Sequence, residues 1–218
     1  MKKSFSLIEL IFTIVMIAMI FTVIPRIIYA TNMSIGFQMK EDGIFNMMTH
    51  IIDISTQEYD ENNTADAFFP DDILLTGNSN VLECNTTTDY RIGGFVGGRN
   101  CRNNEYDSII GPDANENDES DYDDVDDYNG TEDNATKNGN TRYKLYTFVG
   151  YTKEWNKSNY DYDNQRLDFN FTTERDGNYR NIKYIEVILE DERFDKNISH
   201  ARYWSANIGH TYIESRQW

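Results

Sequence analysis

The residues with chemistry to offer are mostly carboxylates. The 218-residue chain has 37 Asp+Glu against 20 Lys+Arg. Eleven of the acids fall between Asp113 and Asp133, with no Lys or Arg among them. Calcium takes several carboxylate and amide oxygens, and Asp113, Asn115, Asn117, Asp121 and Asp124 partly follow the ligand order of an EF-hand loop. Asp118 stands where that loop wants its turn glycine, and Asp124 where it wants a glutamate. A solvated acidic loop is therefore the competing expectation, although so dense a cluster repels itself without a cation. Catalytic patterns are missing. His50, His200 and His210 lack metal-ligand spacing, no Gly-x-Ser-x-Gly occurs, and the carboxylates are too many for one pair to stand out. The glycines from Gly93 to Gly98 lack the lysine of a phosphate-binding loop. The expectation is no enzymatic role and no required cofactor, with calcium as an option.

Composition narrows the partners. A net charge of -17 argues against nucleic acid, whose binding proteins neutralise phosphates with Lys and Arg. Twelve Phe, 15 Tyr and 3 Trp argue against a wholly disordered acidic chain. Two cysteines exclude a disulfide-dense scaffold.

The N-terminus carries the strongest pattern. Met-Lys-Lys-Ser is followed by Phe5-Ser6-Leu7-Ile8-Glu9-Leu10 and an apolar run to Ile24, broken only by Thr13 and Thr22. At about 1.5 Å per helical residue that run spans roughly 30 Å, one hydrocarbon core. Lys2 and Lys3 would stay on the cytoplasmic side and send the rest outward. A cleaved secretory signal fits poorly, because Ile28-Tyr29-Ala30 puts Ile where a small residue is wanted. A plain signal anchor leaves Glu9 unexplained. A carboxylate in a membrane segment costs a few kcal/mol and wants a partner.

This leader resembles that of type IV pilins and type II secretion pseudopilins. The resemblance implies cleavage between Ser4 and Phe5 by a prepilin peptidase, with methylation of the new Phe5 amine. It also implies that Glu9 pairs with that amine on a neighbouring subunit, and that Pro25 marks a loosening of the helix in the filament. Ser4 replaces the glycine usual before the cut. The implied role is a structural subunit in a homo- or hetero-polymer of pilins. It would wait in the bacterial inner membrane for an ATPase-driven assembly machinery, then join a periplasmic or cell-surface filament. The alternative is a membrane-anchored adhesin or receptor with an uncleaved signal anchor. Asp123–Gly130 and Tyr203–Gly209 resemble stretches of larger minor pilins of the MSHA type.

The elements that must position these residues follow from periodicity. The expected class is α+β, a long N-terminal helix packed on an antiparallel sheet. Residues 1–4 form the leader and 5–59 the helix, of which 5–24 span the membrane. Residues 60–218 form the globular domain, with an acidic insertion at 113–140. Phe37, Ile44, Met48, Ile51 and Ile52 recur at helical spacing and predict the face that packs on the domain. Tyr143–Tyr151, Arg166–Thr172 and Ile182–Leu189 read as strands, with Ala201–Ile213 a weaker closing one. Asp176-Gly177 predicts a hairpin turn between the second and third.

Two covalent modifications follow from export. Cys84 and Cys101 enclose 16 residues, and in an oxidising compartment such a pair bridges, for about 3 kcal/mol of loop closure. Asn-x-Ser/Thr occurs at Asn32, Asn62, Asn85, Asn129, Asn134, Asn156, Asn170 and Asn197. All but Asn32 carry an acid two residues earlier, which resembles the acceptor pattern of bacterial oligosaccharyltransferases. Asn170 falls within an expected strand and is the least accessible of the seven.

Overall fold

The computed structural model describes residues 6–60, 73–76, 84–85, 90–91, 101–105, 109–113, 116, 118–135, 142–153, 160–161, 166–167 and 172–207. For 84–85, 90–91, 101–105, 160–161 and 166–167 it describes the backbone alone. One helix dominates: α1, Leu7–Ser55. Its start is fixed locally, because the Ser6 amide donates to Glu9 Oε2 at 3.1 Å, half of a capping box. The helix runs through Pro25, and every residue from Leu7 to Ile35 is exposed. That stretch is long and apolar enough to cross a membrane.

The second half of α1 changes character. Its buried residues are Gly43, Met47, Ile51 and Ile54, spaced 4, 4 and 3, which is one helical face. The predicted face was turned too far. Phe37, Met48 and Ile52 are exposed, and only Ile51 of that stripe is buried. The reason is Gly43, where an added Cβ would come within 3.2 Å of both methyl carbons of Leu189. Without a side chain there, the helix backbone settles directly onto the sheet and brings the Met47 row inward. α1 ends at Ser55, short of the expected Tyr59; the Thr56 hydroxyl donates to the Asp53 carbonyl at 2.7 Å.

The strands in chain order are β1 (Ile73–Leu75), β2 (Cys84–Asn85), β3 (Tyr90–Arg91), β4 (Cys101–Glu105), β5 (Glu132–Asn134), β6 (Tyr143–Thr152), β7 (Tyr160–Asp161), β8 (Arg166–Leu167), β9 (Arg175–Asp176), β10 (Ile182–Asp191) and β11 (Lys196–Ala206). The main sheet is antiparallel, ordered β11-β10-β6-β5, with β9 also paired to β6. Register places Ile185 opposite Val149, Val187 opposite Thr147, and Leu189 opposite Leu145. Period-2 alternation then puts Leu145, Val149, Ile185, Val187 and Leu189 on the face that meets Met47, Ile51 and Ile54. Each such side chain contributes about 1.5–3 kcal/mol by leaving water.

Two strand expectations change. Arg166–Thr172 and Ile182–Leu189 do not form a hairpin: β8 pairs with β7, and β10 lies between β6 and β11. The length of β6 explains this, since its ten residues supply a partner for nearly all of β10. Asp176-Gly177 still turns the chain, with Asp176 Oδ1 accepting the Asn178 amide at 3.1 Å and Oδ2 held by Arg180 at 2.9 Å. The closing strand begins earlier than expected, at Lys196; residues 208–218 lie outside the described set. The α+β architecture, with a long helix packed on an antiparallel sheet, is as expected.

Gly43 gives the first test. Gly43→Val should lower stability by about 1–3 kcal/mol through overpacking, read from urea unfolding of the protein in detergent. Combining it with Leu189→Ala, which vacates the contacted space, should give less loss than the two single effects added together.

Candidate functional site

The alternation of β10 sets an unexpected residue into the core. Lys183 shares strand parity with Ile185, Val187 and Leu189, and its side chain is fully buried. Its ammonium would be costly there without compensation. Three buried acids supply it. Asp60 follows α1, while Asp124 and Asp126 come from the loop between a 3-10 turn (Glu119–Asp121) and β5. Lys183 Nζ donates to Asp126 Oδ1 and to the Tyr59 carbonyl, and lies 3.7 Å from Asp60 Oδ2. The Tyr59 ring covers it, with Nζ 4.5 Å from the centroid. Tyr151 and Tyr179, packed edge-on at 5.3 Å, join Tyr59 and Leu74 in a second apolar cluster.

The loop holds its shape with its own acids. Asp124 Oδ1 accepts the amides of Asp126 at 2.7 Å and Asp127 at 3.4 Å. Asp127 Oδ2 accepts those of Asp123 and Asp124, both at 3.0 Å. Short carboxylates readily satisfy nearby amides in this way. Between them Val125 enters the core, and its amide donates to the Glu58 carbonyl at 3.0 Å. The solvated loop expected for this segment is therefore corrected at Asp124, Asp126 and Asp127, which are buried. They are loop-building and charge-pairing groups.

One lysine stands against several carboxyls in a buried site, which favours the protonated form of the acid whose charge burial disfavours most. Burial pushes Asp126 up to about 8; Lys183 pulls it down and Asp124 pushes it further up. Burial opposes the charge on Lys183, but Asp126, Asp124 and Asp60 outweigh it and hold its pKa above the usual lysine range. Tyr59 is held well above the usual tyrosine value, chiefly by burial.

Two other groups bring together atoms that a divalent cation could use: Glu116, Asp123 and Asp127, and separately His50, Glu119 and Asp133. The first sits beside the lysine site. Burial pushes Glu116 up to about 7; the Asp113 amide, donating to Glu116 Oε2 at 2.8 Å, opposes this, and the neighbouring Asp127 adds to it. His50 sits on α1, its Nε2 2.9 Å from Thr147 Oγ1 and 4.0 Å from Asp133 Oδ2. The EF-hand positions are described only in part. Asp113 and Asp121 are exposed, Asp124 belongs to the lysine site, and Asn115 and Asn117 lie outside the described residues.

The remaining expected residues are spread out. Glu9 bonds the Ser6 amide; Ser4 and Phe5 lie outside the described residues. The backbone places Cys84 opposite Arg91 and Cys101 opposite Ile73, and their side chains are outside the described set. Asn62, Asn156 and Asn170 also fall outside it, as does the side chain of Asn85. Asn134 and Asn197 are exposed on β5 and β11, the two outer strands of the main sheet order. Asn129 is half-buried and its Oδ1 accepts the Val149 amide at 3.0 Å. The acids before Asn62 and Asn129, Asp60 and Asp127, are both buried. Sequence reasoning missed Lys183 and Asp60. The available signal was a lysine at an apolar position of IKYIEVIL.

Two outcomes follow. Glu116 binds its proton more tightly folded than unfolded, so that stabilisation is full below the ordinary carboxyl range and is lost as pH rises through about 7. Thermal melts from about pH 4 to 8 should show this loss together with that of Asp126, whose carboxyl is raised in the same sense, and Glu116→Gln should reduce the slope without abolishing it. Glycopeptide mapping of protein from its native host should find Asn134 and Asn197 modified and Asn129 bare. No family model matches the chain, and no curated protein or solved structure matches it either.

Proposed function

We propose that the chain is a structural subunit of a type IV pilus or a type II secretion-like filament, a pilin or pseudopilin that polymerises through the first half of α1. One observation carries the reading. From Leu7 to Ile24 the helix exposes apolar side chains around its circumference, Leu7 at 77% and Phe12 at 67%, while the same helix from Gly43 onward is packed on the sheet. A helix apolar on all sides belongs in lipid or among other helices. In a membrane, the Glu9 carboxylate needs an opposite charge. The amine of Phe5 on a neighbouring subunit, freed by a prepilin peptidase acting after Ser4, supplies one. Assembly then moves the helix from the inner membrane into a bundle of like helices, and the acidic domain faces outward.

The sheet adds support. Exposed edge strands invite pairing with other chains. Asn134 and Asn197 lie on the outer strands β5 and β11, so glycans there would keep filament surfaces from adhering through strand addition. A bridge between Cys84 and Cys101 would close its loop in the same exported domain, and calcium would remain an accessory rather than a requirement.

The test is the terminus and fate of the protein in its host. In sheared surface filaments the chain should begin at Phe5, and Glu9→Ala should remain stable in the membrane yet incorporate at least tenfold less. A chain that keeps Met1 and never leaves the membrane fraction would instead establish the anchored adhesin or receptor.

A further inference from the structure

We propose that Lys183 and Asp126 condense into an intramolecular amide, a covalent cross-link between the middle of the sheet and the acidic loop. The reacting groups already touch: Lys183 Nζ donates to Asp126 Oδ1, and both side chains are buried. Neither can swing away. Lys183 is held in β10 between Tyr151 of β6 and Ser205 of β11. The Asp126 backbone is tied on both sides, its amide donating to Asp124 Oδ1 at 2.7 Å and its carbonyl accepting the Asn129 amide at 2.9 Å. Fixed proximity of this kind is worth effective concentrations on the order of 10⁵–10⁸ M in intramolecular reactions.

The neighbours are those the reaction requires. Asp60 Oδ2 lies 3.7 Å from Nζ, placed to take a proton from the ammonium. Asp124 Oδ1 accepts the Asp126 amide at 2.7 Å, and carboxylate oxygens of Asp60, Asp124 and Asp126 lie within 4.8 Å of one another. Asp60 accepts one proton, and the freed lone pair of Nζ attacks Cγ of the protonated Asp126 carboxyl. Asp124 takes a second proton from the nitrogen and passes it to the departing hydroxyl. The C–O bond breaks, one water leaves, and the amide remains with a neutral Asp60. Nothing is oxidised or reduced. The driving force is the site itself, because condensation removes a buried ammonium and leaves a dry pocket in which hydrolysis lacks its water. The Tyr59 ring over Nζ closes the approach. The proposal does not depend on the filament reading, although a covalent clamp would suit a subunit pulled along a filament.

Denaturing digestion of the full-length protein, followed by tandem mass spectrometry, decides it. The expected result is a branched peptide joining the Asp126 and Lys183 segments, lighter than their sum by one water. Lys183→Arg keeps the charge and should give only linear peptides at full mass. Two results would overturn the proposal. One is native protein with separate full-mass peptides and a Lys183 amine that acetylates after denaturation. The other is a water loss confined to the Asp126 peptide, which marks succinimide formation at Asp126-Asp127.

Discussion

A lysine side chain enclosed by the end of a helix, an acidic loop and a sheet sets the terms for the rest of the domain. Lys183 stands in the core-facing row of β10, where an unpaired ammonium would be prohibitive. Its partners arrive from three parts of the chain, the Tyr59 carbonyl and Asp60 beyond α1, and Asp126 from the loop. Forming the site therefore ties the segment after α1 to the loop and to the sheet. Removing one member of such a buried set costs about 3–5 kcal/mol, because the others are left charged and dry. Of the acids that look like a solvated run in composition, Asp124 and Asp126 are drawn in beside the lysine, while Asp113, Asp118, Glu119, Asp121 and Asp123 stay exposed.

The long helix divides by what surrounds it. Its C-terminal half is seated by Gly43 against Leu189 and by Met47, Ile51 and Ile54 against the sheet. Among the described residues, nothing covers its N-terminal half. The same continuous helix thus joins a folded domain to an apolar rod, and forces applied to the rod pass directly into the sheet. Asn46 Nδ2 donates to the Ala135 carbonyl at 2.6 Å and the Val125 amide to the Glu58 carbonyl at 3.0 Å, tying the helix and the segment after it to the domain.

Much of this architecture was legible because its signals are local. The apolar run after Lys3, the alternation of Tyr143–Tyr151 and of Ile182–Leu189, and the class they imply depend on periods of 3.6 and 2 alone. The helix face was misjudged because a glycine contributes nothing to an apolar stripe, yet Gly43 makes the closest approach. The partners of β10 were misjudged because proximity in sequence favoured Arg166–Thr172, whereas register with the longer β6 prevailed. The lysine site was invisible for a different reason. Lys183, Asp60 and Asp126 are far apart in sequence, and in an acid-rich chain the carboxylates that become buried look the same as those that stay in water.

Lys183 couples the helix end, the loop and the sheet into one unit. Amide hydrogen exchange on Lys183→Met, made in the full chain in detergent, tests it most directly. The amide of Val125, which bonds Glu58 across the loop and the helix end, reports on the junction. Val125, Asp126 and Asn129 should lose protection together with Gln57 and with the β10 amides near residue 183. Loss confined to β10, with Val125 as protected as in the native protein, would contradict it.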